Sequence, residues 1–149
     1  MIAVRRTAPK RVEAAVTSPL PQRLLFDTHT WLWLQADSSR LGVQARHRIQ
    51  RASEVRFSAV SALEIAIKVA LGKLTLPKDA DINEELDFCG FLPLPMEIVH
   101  ADQVRRLRPL HRDPFDRLLV AQAIVEGLTL VTADTQLAAY GVSVLDARL

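Results

Sequence analysis

An α/β fold, three layers deep with a central parallel sheet of four or five strands, follows from three observations. Short apolar runs alternate with segments of helical periodicity, the pattern of βα units. The connections between them are short, so strands joined through helices are expected to form right-handed crossovers within one sheet. At 149 residues, 49% apolar and 24% charged, the chain can bury one ordinary core but not two.

In order, residues 24–26 read as a short buried strand, followed by a helix that begins at Thr28 or His29 and runs to about Ala36. A polar turn at 37–40 precedes an amphipathic helix over 42–52. Residues 55–58 form the next strand. A helix over 59–71 stops at Gly72, a residue type suited to C-terminal caps. After a connector at 74–78, a short helix over 81–89 ends at Gly90, and residues 91–94 form a strand that Pro93 confines to an edge. A helix over 96–107 is closed off by Pro109. The segment 111–116 then enters a helix that lasts to Glu126 and ends at Gly127. A strand over 128–132, a short helix over 134–140 ended by Gly141, and a strand over 142–145 complete the chain.

Charge is unevenly placed. The net charge is +2, yet residues 1–23 hold five basic residues against Glu13 alone, so they sum to +4 and the remaining 126 residues to −2. Nucleic-acid binding through bulk charge is therefore excluded for the folded part. With three prolines and no periodicity, residues 1–23 are expected to be a disordered basic leader outside a single domain at 24–149. No apolar run approaches the roughly 18 residues that span a bilayer, and no secretory signal is visible, so a cytoplasmic protein without membrane contact is expected. The lone Cys89 fits a reducing compartment and is expected to pack in the core beside Phe88 and Phe91.

Four acids occupy unusual positions. Asp27 follows the first strand directly, at the end of a parallel sheet where ligands bind. Asp134 repeats that arrangement two residues after residues 128–132. On the third helix, at about 100° per residue, Val60, Leu63, Ile67, Ala70 and Leu71 form one stripe with Glu64 at its edge. Residues 118–125 are apolar on nearly every side except at Gln122. Asp116, in the first turn of that helix, lies on the line of Leu119, Val120 and Ala123.

Each acid also has an ordinary reading. Asp27 and Asp134 suit helix N-caps, Asp113 before Pro114 does too, and Asp116 complements a helix dipole. Glu64 suits an ion pair with Lys68 or a capping box opened by Ser61. What a set of caps does not explain is why four carboxylates should reach one end of one sheet. Crowded carboxylates repel unless protonated or neutralised by a cation. An all-carboxylate site without a cysteine or histidine pair suits Mg²⁺ or Mn²⁺ rather than zinc. Such ions suit phosphodiester hydrolysis.

These residues carry a resemblance. The stretches Leu-Leu-Phe-Asp27-Thr-His-Thr-Trp-Leu, Ser58-Ala-Val-Ser-Ala-Leu-Glu64-Ile-Ala-Ile-Lys, Leu-Gly-Lys-Leu, His111-Arg-Asp-Pro-Phe-Asp116-Arg-Leu-Leu-Val-Ala-Gln-Ala and Leu-Val-Thr132-Ala-Asp134 stand in an order that resembles the PIN-domain ribonucleases, particularly the VapC-like toxins of bacterial toxin–antitoxin pairs. The resemblance implies a three-layer α/β/α fold and endonucleolytic cleavage of RNA dependent on Mg²⁺ or Mn²⁺. It also implies a homodimer and inhibition by a cognate antitoxin. Carried over by position, Asp27, Glu64, Asp116 and Asp134 would bind metal, with Asp113 as a secondary ligand or cap. Ser61 and Thr132 would orient the acids or a metal-bound water.

His111 and Arg112 stand where RNA phosphates would approach, or simply in a solvated loop. His29 is expected to cap or pack. Of Trp31 and Trp33, on different helix faces, one is expected in the core. Ile65 and Val69 form a second apolar patch on the third helix, for a partner or a neighbouring helix. Two rival functions stay open on these residues: a non-catalytic module binding RNA or a partner, and an aspartyl-phosphate phosphatase. The latter usually carries a second acid two residues after the first, where this chain has His29.

Overall fold

The computed structural model describes residues 21–110 and 113–149; the expected leader, up to residue 20, and His111 and Arg112 lie outside the described residues. Five strands, β1 (Arg23–Phe26), β2 (Glu54–Ser58), β3 (Leu92–Leu94), β4 (Thr129–Thr132) and β5 (Val144–Asp146), form one sheet in the order β3-β2-β1-β4-β5. Every neighbouring pair is parallel, and Phe26 of β1 lies opposite Phe57 of β2 and Val131 of β4. Arg23, counted with the leader on charge, opens β1. The chain lays down β1, β2 and β3 toward one edge, then returns to β4 beside β1 and continues to β5 at the other edge. The order therefore reverses between β1 and β4, and the carboxyl ends of those strands flank the crevice in which open α/β sheets bind ligands.

Side chains alternate across the strands and build two cores. Leu24, Phe26, Val55, Phe57 and Val131 face helices α1 (Thr28–Gln35), α2 (Val43–Arg51) and α4 (Ile82–Cys89), where Trp31, Leu34, Ala45, Ile49, Leu86 and Cys89 pack against them. Trp31 lies 4.8 Å from Phe57 and 5.4 Å from Phe91 between ring centroids, while Trp33 is only partly buried against the same core. On the other face, Leu25, Leu94 and Leu130 meet Leu119, Val120, Ala121 and Ala123 of α6 (Pro114–Glu126), with Val104 of α5 (Ile98–Val104) packed alongside. Helix α3 (Ala59–Ala70) belongs to both cores, giving Val60 to the second and Ile65 to the first.

That placement overturns the expected stripe on α3. Leu63, Ile67 and Leu71 are 56%, 39% and 63% exposed, whereas Val60, Ser61, Glu64 and Ile65 are buried. Ile65 is thus core rather than a back patch, and Val69 stays exposed. The face that turns inward is the one that meets α1 and α6, not the most apolar one.

Three other boundaries move. Helix α5 starts late because Glu97 and His100 cap each other reciprocally, and it stops at Val104, where the amides of Arg106 and Leu107 bond three residues back. Residues Thr135–Tyr140 form a 3₁₀ helix, with Leu137 N bonding Asp134 O. Strand β5 begins at Val144, which lies opposite Leu130, and the Leu130 amide donates to the Ser143 carbonyl at 2.8 Å.

Gly127 ends α6 at φ 65° and turns the chain directly toward β4, a left-handed conformation that disfavours other residues. At the amino ends of the strands, Glu54 bonds Arg23 at 2.9 Å and also pairs with Arg56. The hydrogen bond from Arg23, then that from Arg56, holds the Glu54 carboxyl below its ordinary range.

Candidate active site

Leu24, Leu25 and Phe26 of β1 are fully buried, and the chain leaves the strand at Asp27, whose amide adds one more bond toward β4, Asp27 N to Val131 O at 3.0 Å. Asp27 Oδ1 accepts from Thr30 N at 2.7 Å, so the acid does cap α1. A cap occupies one carboxylate oxygen and leaves the other for a different partner. Asp27 is only 7% exposed.

Glu64 reaches the same end of the sheet from the side. Its helix starts at the carboxyl end of β2, and Ser58, not Ser61, is the N-cap, with its hydroxyl accepting from Val60 N at 3.0 Å. The capping box expected from Ser61 is therefore not formed, because Ser61 lies inside the helix. Its Oγ accepts instead from Thr28 Oγ1 at 3.0 Å, tying the start of α3 to the start of α1. Glu64 is 4% exposed, and the expected pair with Lys68 is made at 3.3 Å.

Helix α6 ends two residues before β4 begins and runs antiparallel to it. Its thirteen residues rise about 20 Å, which brings its first turn back over the carboxyl end of the sheet. Asp113 caps it, accepting from Phe115 N at 2.8 Å and from Asp116 N at 3.4 Å, and Pro114 takes the first helical position. Asp116 is half-buried and Asp113 exposed. Past β4, the buried Thr132 Oγ1 accepts from Asp134 N at 3.0 Å, and Asp134 Oδ1 accepts from Gln136 N at 3.1 Å. Asp134 is half-buried as well.

All four acids thus stand toward one end of the sheet, Asp27 directly after β1 and Asp134 two residues after β4, the strands beside the reversal of strand order. Among the described residues, no three acid, histidine or cysteine side chains already form a metal cage. The donors nonetheless suit a hard cation, since two of them are carboxylates held out of water. Close by, Thr30 Oγ1 is buried without a hydrogen-bond partner among the described residues. Thr132 and Ser61 hold a backbone amide and a neighbouring hydroxyl rather than a carboxylate. His111 and Arg112 lie outside the described residues, and His29 is exposed on the solvent side of α1.

Sequence reasoning passed over Thr28, Ser58 and Gln122, all buried and all hydrogen-bonded around this site. The one signal in the chain was Gln122, an amide alone in an apolar helix. Cys89, by contrast, packs in the core as expected, 3.6 Å from Gln35 Nε2.

A five-stranded parallel sheet wrapped by helices, whose strand order reverses between β1 and β4, defines an α/β/α protein of the open-sheet kind. The chain belongs to the PIN domain family, whose model matches residues 24–142. It is 31% identical over 124 residues to the ribonuclease VapC22 of Mycobacterium tuberculosis (strain ATCC 25618 / H37Rv), covering 78% of this chain and 91% of that protein. Its fold is similar to DNA-bound VapBC from Salmonella typhimurium, with a TM-score of 0.63 at 16% identity, covering 83% of this chain and 97% of that one. It is also similar to VapBC2 of Rickettsia felis bound to a fragment of promoter DNA, with a TM-score of 0.61 at 14% identity, covering 82% and 96%. No helix among the described residues is long and apolar enough to cross a membrane.

Proposed function

We propose that the chain is an endoribonuclease dependent on Mg²⁺ or Mn²⁺ that acts as the toxin of a toxin–antitoxin pair, its nuclease unit spanning residues 24–149. The observation that carries this reading is the burial of Asp27 and Glu64 at the carboxyl end of the sheet, in a homologue of a ribonuclease. Two carboxylates that close to dry are costly unless a cation joins them, and Lys68 meets only one. Asp27, Glu64, Asp116 and Asp134 hold the metal, with Asp113 as a secondary ligand. When bound, the ion supplies the Lewis acidity for phosphodiester hydrolysis. Asp27 offers its uncapped oxygen, and Glu64 offers a carboxylate fixed by a buried helix face. Thr132 orients Asp134 through its amide, and Ser61 braces Asp27 through Thr28. His111 and Arg112, next to Asp113, hold RNA phosphates.

The partners follow the same reading. A cognate antitoxin is supported by the structural neighbours, which are complexes of toxin with antitoxin. A homodimer is supported by Leu63, Ile67 and Leu71, exposed at successive turns of α3 as a ready apolar stripe.

The test is RNA cleavage by the purified chain in Mn²⁺. We expect wild-type protein to cut, and Asp27→Asn and Asp116→Asn to lose cleavage while melting within a few degrees of wild type, since asparagine retains capping ability. Full cleavage by either variant would sink the assignment.

A further inference from the structure

We propose that Gln122 is a positioning residue for Glu64, acting through the hydroxyl of Ser58; this rests on the nuclease reading above. Gln122 is fully buried, and a buried amide requires partners for both of its ends. Its Oε1 accepts from Ser58 Oγ, while its Nε2 donates to Pro95 O at 3.2 Å and lies 3.4 Å from His100 Nδ1. Ser58 is the last residue of β2 and the cap of α3. With its hydrogen committed to Gln122, its oxygen lone pairs are turned toward Val60 N. An amide on α6 therefore fixes the hydroxyl from which the helix bearing Glu64 starts.

The orientation of the amide is set from the far side by His100, which is also fully buried. His100 Nδ1 accepts from Glu97 N at 3.0 Å, so the ring hydrogen sits on Nε2, which donates to Glu126 Oε1 at 2.8 Å. A flipped Gln122 would aim its oxygen at the Pro95 carbonyl and at an imidazole lone pair, three acceptors with no hydrogen among them. One amide orientation is left, and it is the one that accepts from Ser58. The line His100–Gln122–Ser58 thus crosses from α5 through α6 to the start of α3, where the bond that Ser61 accepts from Thr28 continues it to the helix capped by Asp27. Glu64 stands six residues after Ser58, so a shift of the cap rotates and translates its carboxylate.

The experiment compares wild type, Gln122→Met, Ser58→Ala and the double variant, well below their melting temperatures, for RNA cleavage and for Mn²⁺ affinity by titration calorimetry. We expect each single variant to lower kcat by about 10- to 100-fold, the range of groups that orient metal ligands. KM should stay within about twofold, Mn²⁺ should bind severalfold more weakly, and the double variant should lose no more than either single one. A folded Gln122→Met or Ser58→Ala protein with unchanged kcat and Mn²⁺ affinity would overturn the proposal, as would a wild-type chain that binds no Mn²⁺. Should Gln122→Met fail to fold, Ser58→Ala decides alone. A wild-type chain that binds Mn²⁺ without cleaving RNA would defeat the nuclease reading and leave the affinity comparison to judge this one.

Discussion

The acids of the site come in two kinds. Asp27 and Glu64 are nearly dry, each delivered by an element embedded in the cores, and each held by a bond that leaves its carboxylate little freedom. Asp116 and Asp134 stand half-buried at the rim, on the first turn of α6 and on the loop after β4. A nearly dry carboxylate has lost almost all of its water, whereas a carboxylate at the rim keeps part of it. On the proposed reading the inner pair would depend most on a bound cation and the outer pair least.

The largest test of that division compares Glu64→Gln with Asp134→Asn. Glu64→Gln is expected to remove cleavage at every Mn²⁺ concentration. Asp134→Asn should lose about 10- to 100-fold and recover in part as Mn²⁺ is raised. Equal rescue of both would erase the distinction between inner and outer acids. Smaller is the effect of Lys68→Met, which removes the cation beside Glu64 at a partly buried site. The metal-free protein should lose about 1 kcal/mol, read by urea unfolding, while Mn²⁺ binds more tightly because it no longer displaces an ammonium group.

The smallest effect lies far from the site. Glu54→Gln breaks the pairs with Arg23 and Arg56 at the amino ends of β1 and β2 and should cost under about 1 kcal/mol at pH 7. The Glu54 carboxyl titrates below its ordinary 4.5 in the folded chain, so its contribution is complete above that value. It is lost as pH falls through the lower, folded value. Melting curves of the variant and wild type should converge in acid, and cleavage at neutral pH should not change.

Much of this was legible in the residues. The strand before Asp27 and the buried run before Gly127 announced themselves by pattern, and caps at Asp27, Asp113 and Asp134 followed from residue type. Helix α3 shows where pattern fails. Counting 100° steps favoured Leu63, Ile67 and Leu71 as the inner face, but burial depends on which neighbour a face meets, and α1 and α6 stand on the side of Ser61 and Glu64. The same limit hid the Ser58–Gln122 bond. Its partners are 64 residues apart, and nothing local to either shows that they touch.

Helix α3 gives Val60 to one core and Ile65 to the other, four residues before and one residue after Glu64. Neither helical layer can detach from the sheet without unseating that helix, and with it the carboxylate. On the proposed reading, loosening either core would therefore move Glu64, and opening one half of the described residues would disarm the site as well.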